Sequence, residues 1–510
     1  MPVGAGLLAI LVVTLVGRAW LSGTNDPDST NSVIYFQRIV AGERLELTVL
    51  TTPKPLLTLL YGATWNLFHD WRVLVWMTIA VHGVAVAAAT RLATRLGGLA
   101  AGLFIAAALI ASPSELTEVT HANSLPWALA GWAIAGLAVT SSPRRFWIAG
   151  AALLAAGLAR TETWLIMAAG TAALAFLSAF RGRFPLSAPT VRTAAPLLIA
   201  WLALPIQWAH DYLLTGNAFY TLGVPAAYTA LLTPHLAPVG PLSYLHSLIV
   251  RYQAMPVVIG LAAIGTAYLV VRRRWEILVP LVALIGGALA LLGLLSWRAV
   301  YVSARYYEEP GLGLLFAAAI GAGALAEVAA RSTRSSAYRP VRVIAAGLAV
   351  AIALAVTLPG GGASQLIQRT QELETASQSL ESVLPALNRV VHSPKGVAPR
   401  PIARPDGLIT FDAALVPIFV PGPFLGRIAV ELDVPLTRLG DSAVAFLAAP
   451  PSKVLHPGQA IYHDAFLDVP HATFRSLEVT QPTDIGSSGS ARLIPIAVRA
   501  GAYWLVRVED

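Results

Sequence analysis

Long apolar segments of this chain alternate with loops that carry either arginine clusters or acidic groups, and hardly ever both. The arginine loops hold Arg91/Arg95, Arg144/Arg145, Arg181/Arg183/Arg192, Arg272/Arg273/Arg274 and Arg331/Arg334/Arg339/Arg342. Between them fall Asp26/Asp28, Glu115/Glu118, Arg160/Glu162 and Arg305/Glu308/Glu309. Cytoplasmic loops of membrane proteins are enriched in Lys and Arg, so the alternation sorts the loops onto two sides. It gathers the remaining polar residues on the outer one. Only 12% of residues are charged and 56% are hydrophobic, whereas a soluble domain carries roughly 25% charged residues. The net charge of +8 resides largely in the arginine loops. It reads as a topology signal beside anionic lipid rather than as a nucleic-acid surface. The chain has no cysteine, which excludes disulfides, thiol catalysis and Cys-ligated metals.

A membrane span needs about 20 apolar residues. Segments 3–21, 72–90, 98–112, 125–141, 146–160, 162–180, 190–208, 254–271, 276–296, 311–330 and 341–358 meet that need or come near it. With the N-terminus inside, each arginine cluster falls in turn on the cytoplasmic side. Met1–Trp20 then reads as a retained first span, not a removed leader. Two outer segments are long, 22–71 and 209–253. The first contains Ser32–Val40, an amphipathic stretch suited to a helix lying along the interface and stopped at Gly42.

Past Pro359-Gly360-Gly361-Gly362 the composition shifts. Leu366, Leu373, Leu380, Leu384 and Leu387 recur at helical spacing. Strand-like runs follow at Leu408–Phe411, Ala443–Leu447, Thr473–Val479 and Tyr503–Val508. The expectation is a polytopic α-helical membrane domain over 1–358, with about 11 transmembrane helices, followed by a small C-terminal extracytoplasmic α/β domain over 359–510. His463, Asp464 and His471 in that domain read as surface groups. No internal repeat and no transporter-like pair of broken helices is apparent.

Several outer residues carry chemistry. Asp26-Pro27-Asp28 follows the first span directly. The plain reading is a solvated turn. The alternatives are a general base for an acceptor hydroxyl and a weak divalent-cation site, since two carboxylates can converge on one hard ion. Lys54, held between Pro53 and Pro55 at the mouth of span two, is either a snorkelling interfacial lysine or a point charge for a lipid phosphate. If Pro113–Ser124 is helical, Glu118, His121 and Glu115 share a face able to position a sugar or assist proton transfer, or form a hydrated loop end. Metal ligation by one His and two Glu is possible there but unspecific. Arg160 and Glu162 lie between two spans with almost no loop, where ionisable groups must be paired or face a cavity. A local Arg–Glu pair is the simplest account. Arg305, with Arg298, breaks the positive-inside trend. A planar guanidinium on the outer face suits the phosphate of an anionic lipid.

The arrangement resembles the GT-C superfamily of integral-membrane glycosyltransferases, which use polyprenyl-phosphate sugar donors. The resemblance covers roughly residues 1–330. It lies in the acidic pair after span one, Tyr35-Phe36…Gly42, Thr52-Pro53-Lys54-Pro55-Leu56, Glu118…Asn123-Ser124, Leu158-Ala159-Arg160-Thr161-Glu162-Thr163-Trp164 and Ser303-Ala304-Arg305-Tyr306. The family's usual proline between the Arg and the Glu is Thr161 here, and the acidic pair is Asp-Pro-Asp instead of adjacent. The resemblance implies an inverting sugar transfer at the outer face of a bacterial plasma membrane, part of cell-envelope synthesis. Asp28 or Asp26 would serve as base. Lys54, Glu118, His121, Arg160, Glu162, Arg305 and Tyr306 would bind substrate. The partners would be a polyprenyl-phosphate-linked sugar and a glycan, lipid or protein acceptor, with no nucleic acid. A monophosphate donor requires no metal and no other cofactor. Two other classes compete: a lipid or glycan transporter, and a non-catalytic scaffold for the C-terminal domain. A transporter calls for ionisable groups near the bilayer midplane; a scaffold predicts dispensable outer acids.

Overall fold

The computed structural model describes residues 1–17, 23, 27–44, 52–179, 195–222, 255–287, 289–290, 293, 308–331 and 338–357. Within 401–509 it describes seven short strands and residues 427, 430 and 431. Asp26, Arg298, Arg305, Tyr306, the 366–387 leucines, most of 209–253, Ala443–Leu447, Thr473–Val479, His463, Asp464 and His471 lie outside the described residues.

A helix falls within each of the eleven segments read as spans. The first is α1, Pro2–Gly17. Two more, α2 (Pro27–Ala41) and α3 (Pro55–Phe68), lie between it and the second span. By length and composition Trp71–Ala111, Ala195–Thr215 and Glu309–Arg331 are apolar enough to cross a membrane. The 41-residue α4 (Trp71–Ala111) is two helices joined at Gly98, whose φ of 79° only glycine adopts easily. Arg91 and Arg95, expected from the sequence to lie in a loop, sit instead on the end of a helix, which runs on to Gly97 before the backbone breaks. After α5 (Pro113–Thr120) the chain turns through 113° into α6 (Leu125–Thr140), with Ala122 at φ 53° in the bend. The bundle continues with α7 (Phe146–Ala159) and α8 (Thr163–Ala179). A 3-10 turn over Ala195–Leu202 leads into α9 (Ala203–Thr215). Then come α10 (Met255–Val271), α11 (Trp275–Val282), α12 (Glu308–Arg331) and α13 (Tyr338–Thr357).

Lipid tails are as apolar as leucine, so helices in a bilayer associate through close packing of small residues. That is how α12 meets its neighbours. A side chain added at Gly321 would run into the carbonyl of Leu261, one at Gly265 into that of Ala317, and one at Gly323 into that of Gly97. Likewise α1 crosses α4 at Gly6, where an added Cβ would lie 2.5 Å from the Gly83 carbonyl. The main core gathers along α4, with Phe104, Ile105 and Leu109 buried against Leu125, Leu315 and Ala318.

The stretch read as an interfacial helix is α2, and it ends at Gly42 (φ 69°) as expected. It does not lie on a surface, however. Asp28 through Tyr35 are buried, because α2 packs against α3, with Phe36 filling the space where Gly62 lacks a side chain. Only the turn after Tyr35 opens outward.

Asp70 caps α4, accepting from the Arg72 amide at 2.9 Å. Side-chain hydrogen bonds from Arg72 hold its carboxyl below the ordinary carboxylate range. Trp71 stacks on Trp65 with ring centroids 4.0 Å apart, and its indole N–H donates to Glu431 at 2.8 Å. That bond joins the helical part of the chain to the strand-bearing part.

There, β1 (Pro401–Ala403) pairs antiparallel with β2 (Ile409–Phe411). The other strands are β3 (Ile418–Val420), β4 (Leu439–Asp441), β5 (Ala460–Tyr462), β6 (Arg492–Pro495) and β7 (Leu505–Glu509). They form a mixed five-stranded sheet in the order β4-β3-β5-β7-β6. The strand-like runs at 408–411 and 503–508 coincide with β2 and β7.

Candidate functional site

The acidic and basic residues singled out in the sequence begin to converge at the start of α2. Asp28 occupies its first turn, where the partial positive charge of a helix N-terminus favours a carboxylate. Lys54 is the residue before α3, which opens on Pro55, a proline pre-set for a first helical turn. It begins this extra helix and so stands at the mouth of α3, not at the mouth of the span from residue 72. Its ammonium donates to Asp28 Oδ2 at 2.7 Å, and the two side chains are 13% and 6% exposed. A lysine so placed is committed to the carboxylate. In this arrangement it is a partner of Asp28 before it is a phosphate ligand.

The next residue ties this pair to the α5–α6 bend. Ser29 Oγ donates to the carbonyls of His121 and Ala122 at 2.6 and 2.8 Å. The Tyr61 hydroxyl, on α3, donates to the same Ala122 carbonyl at 2.8 Å and accepts from the Trp127 indole at 3.0 Å. Carbonyls freed by the sharp bend are thereby satisfied by α2 and α3. His121, half-buried at the end of α5, contributes its backbone to this junction.

From α5, Glu118 and Glu115 are both buried, and Asn123 Nδ2 donates to Glu118 Oε1 at 3.4 Å. Glu118 faces Arg160, whose Nη1 lies 3.7 Å from its Oε2. Arg160 closes α7 in extended conformation, and its guanidinium gathers three carboxylates. Glu162 is 3.6 Å away, and Glu309, from the first turn of α12, makes the tightest contact, at Nη2. The local Arg160–Glu162 pair anticipated from the sequence is thus a minor part of a cluster drawn from four helical segments. Burying an arginine without partners would be prohibitive, and three acceptors make its placement tolerable.

A second polar cluster supports the first. On α9, Gln207 Nε2 donates to the Pro53 carbonyl at 3.1 Å and to Asp211 Oδ1 at 2.8 Å. Asp211 also accepts the Thr221 amide at 2.8 Å and the Thr221 hydroxyl at 2.9 Å. The cluster holds the backbone that immediately precedes Lys54. Sequence reasoning missed it, although Gln and Asp four apart within an apolar run is a readable signal. It also missed His82, fully buried in α4, whose ring nitrogens have no hydrogen-bond partner among the described residues. The expectation that polar groups keep to one face is corrected by His82, which sits within a helix long enough to cross a membrane.

The structure therefore brings together Asp28 with Lys54, and Glu118 with Arg160 and Glu162, joined through the His121–Ala122 turn. Arg305, Tyr306 and Asp26 fall outside the described residues. Among the described residues no group of three or more His, Asp or Glu is placed to hold a metal ion. Chemically, the site offers a buried carboxylate beside an ammonium, and a guanidinium held by acids. The first can take a proton from a hydroxyl; the second can hold neighbouring carboxylates ready to accept hydrogen bonds from a polyol.

No protein-family model and no curated protein matches the sequence. Solved structures do resemble the fold. The archaeal oligosaccharyltransferase AglB from Archaeoglobus fulgidus, in complex with an inhibitory peptide and a dolichol-phosphate, matches with a TM-score of 0.50 and 12% identity, over 90% of this chain and 69% of that one. ArnT from Cupriavidus metallidurans bound to undecaprenyl phosphate matches with a TM-score of 0.49 and 13% identity, over 98% of this chain and 97% of that one. At such identities the likeness is one of fold.

Proposed function

We propose that this chain is a membrane glycosyltransferase of the GT-C type, moving a sugar from a polyprenyl-phosphate donor to an acceptor hydroxyl at one membrane face. The observation that carries the proposal is the buried Asp28–Lys54 pair, bonded through Ser29 and the α5–α6 bend to the Arg160 cluster. A fold shared with an enzyme solved with dolichol-phosphate supports it.

In this reading Asp28 takes the proton of the acceptor hydroxyl. The hydroxyl oxygen bonds to the anomeric carbon from the face opposite the leaving group. The bond from that carbon to the phosphate oxygen breaks, the configuration inverts, and the lipid phosphate departs with the electron pair. Lys54 orients Asp28. Since Lys54 is engaged, the charge growing on the leaving phosphate falls to Arg305, with Tyr306 beside it; such stabilisation is usually the largest catalytic contribution. Glu118 and Glu162, steadied by Arg160, receive hydroxyls of sugar or acceptor together with His121. Asp26, two residues before Asp28, is the alternative base, and a divalent cation shared by the two is the alternative use of both. The charge pattern orients a transmembrane domain over 1–358 with its N-terminus cytoplasmic and an extracytoplasmic domain over 359–510; the family resemblance implies a bacterial plasma membrane.

The test is transfer of labelled sugar from a polyprenyl-phosphate donor by membranes containing the variants. Asp28→Asn should lower turnover by about 10²–10⁴-fold while leaving donor-lipid affinity near wild type. Wild-type turnover in both Asp28→Asn and Asp26→Asn would overturn the proposal.

A further inference from the structure

A cavity of about 440 Å³ opens on the other side of the bundle, well within the range of small-molecule sites. Its body is apolar, lined by residues such as Leu129, Ala133, Gly170 and Leu281. Its mouth carries Arg144 and the turn Arg272–Arg274. The two ends of α12 locate that mouth. Glu309, at its start, pairs with Arg160, and Glu327, near its end, pairs with Arg272 at 3.4 Å. Those two glutamates are separated by about 27 Å of helix, close to the roughly 30 Å hydrocarbon thickness. The arginine mouth therefore faces the leaflet opposite the Asp28–Arg160 site.

We propose that this cavity binds one anionic glycerophospholipid of the arginine-side leaflet, its phosphate at the guanidinium groups and an acyl chain in the apolar slot. Three observations select that occupant. Arg144 and Arg273 have no ion-pair partner among the described residues, so the mouth is complementary to a phosphate; basic pockets between helices are the usual receptors for such heads. The lining runs up α11 from Trp275 to Leu281 and reaches Leu312 on α12, about 22 Å of helix from Glu327 beside the arginine turn, so the slot has the depth of a whole acyl chain. Trp275 follows the arginine turn directly, and its buried indole N–H has no hydrogen-bond partner among the described residues. An ester carbonyl just below a phosphate supplies an acceptor at that depth, which a polyprenyl phosphate lacks. The site does not depend on the transfer reaction, because none of its lining residues is among those assigned to that reaction.

The experiment uses the full chain in phosphatidylcholine nanodiscs containing phosphatidylglycerol, released and weighed by native mass spectrometry. One phosphatidylglycerol should be retained per chain in preference to phosphatidylcholine. Arg144→Gln with Arg273→Gln should weaken that retention by about 30-fold, the weight of two basic residues at an anionic surface. Gly170→Leu fills the slot at a position where an added Cβ meets no atom within 4 Å, and it should displace the same lipid while leaving the arginines in place. Equal retention of the two lipids, retention indifferent to both variants, or displacement of phosphatidylglycerol by an equimolar polyprenyl phosphate would each overturn the proposal.

Discussion

Replacing Arg160 by glutamine tests the centre of the site. The guanidinium is 5% exposed, and Glu118 and Glu309 around it are 7% and 1% exposed. Solvent screening therefore offers little relief. Removing one member of a buried ion pair typically costs about 3–5 kcal/mol, because the partner's charge is left uncompensated. Here three carboxylates would be left facing one another, so Arg160→Gln should fall at the upper end of that range. Glu309→Gln alone removes the closest partner and leaves Glu118 and Glu162 to hold the arginine, so it should cost less. The double variant leaves two neutral amides in contact, and its cost should fall short of the sum of the singles by about 2–3 kcal/mol. The measurement is a double-mutant cycle by SDS titration of the purified chain in mixed micelles. A loss below about 1 kcal/mol for Arg160→Gln, or additive single losses, would refute the reasoning.

Other outcomes follow from the same physics. His82→Leu should raise stability by about 1–3 kcal/mol, since an unpartnered buried polar group is replaced by an apolar one, and transfer activity should persist; a fall in both would assign the imidazole a role. Asp211→Asn turns an acceptor of three hydrogen bonds into a mixed group, and should lower stability by about 1–3 kcal/mol. It should also lower kcat with donor-lipid affinity unchanged, because the backbone before Lys54 is loosened; an unaltered kcat in the folded variant would make that cluster purely structural. Asp70→Ala should remove a helix cap worth about 1 kcal/mol at pH 7. Arg72 lowers the folded-state pKa of Asp70, so the carboxylate's contribution is complete above the unfolded value near 4. It disappears as pH falls through the lower folded value. A difference from wild type that grows on acidification would contradict this assignment.

Features carried by local rules were legible in the sequence. Apolar length located the helices, Gly42 marked the end of α2, and the isolated Arg160 and Glu162 marked a place where charge had to be paired. Features that depend on partners far along the chain were not. Glu309 reaches Arg160 from another helix, and nothing near Arg160 announces it. Gln207 meets Pro53 across 154 residues. The burial of Asp28–Tyr35 was hidden for the same reason: an amphipathic stretch fits a lipid interface or a protein groove equally well, and Gly62 on α3 decides between them. Arg305 and Arg298 were legible as anomalies of charge, and Tyr306 only through the family resemblance.

The charge balance of the site constrains where a phosphate can go. Lys54 and Arg160 face Asp28, Glu118, Glu162 and Glu309, two cations against four carboxylates. Helix N-termini offset part of the excess, for Asp28 and Glu309 each lie in a first turn, and such an end carries about half a positive charge. The balance still leaves roughly one negative charge in a poorly solvated space. A region of that sign repels a lipid phosphate and accepts hydrogen bonds from neutral hydroxyls. Under the proposed reaction this half of the site therefore receives the acceptor and the sugar. The phosphate needs its own cation, and the proposed reaction gives that role to Arg305, which precedes Glu309 in the sequence. The positive-inside rule counts Arg305 as misplaced; the proposed reaction gives its charge a use.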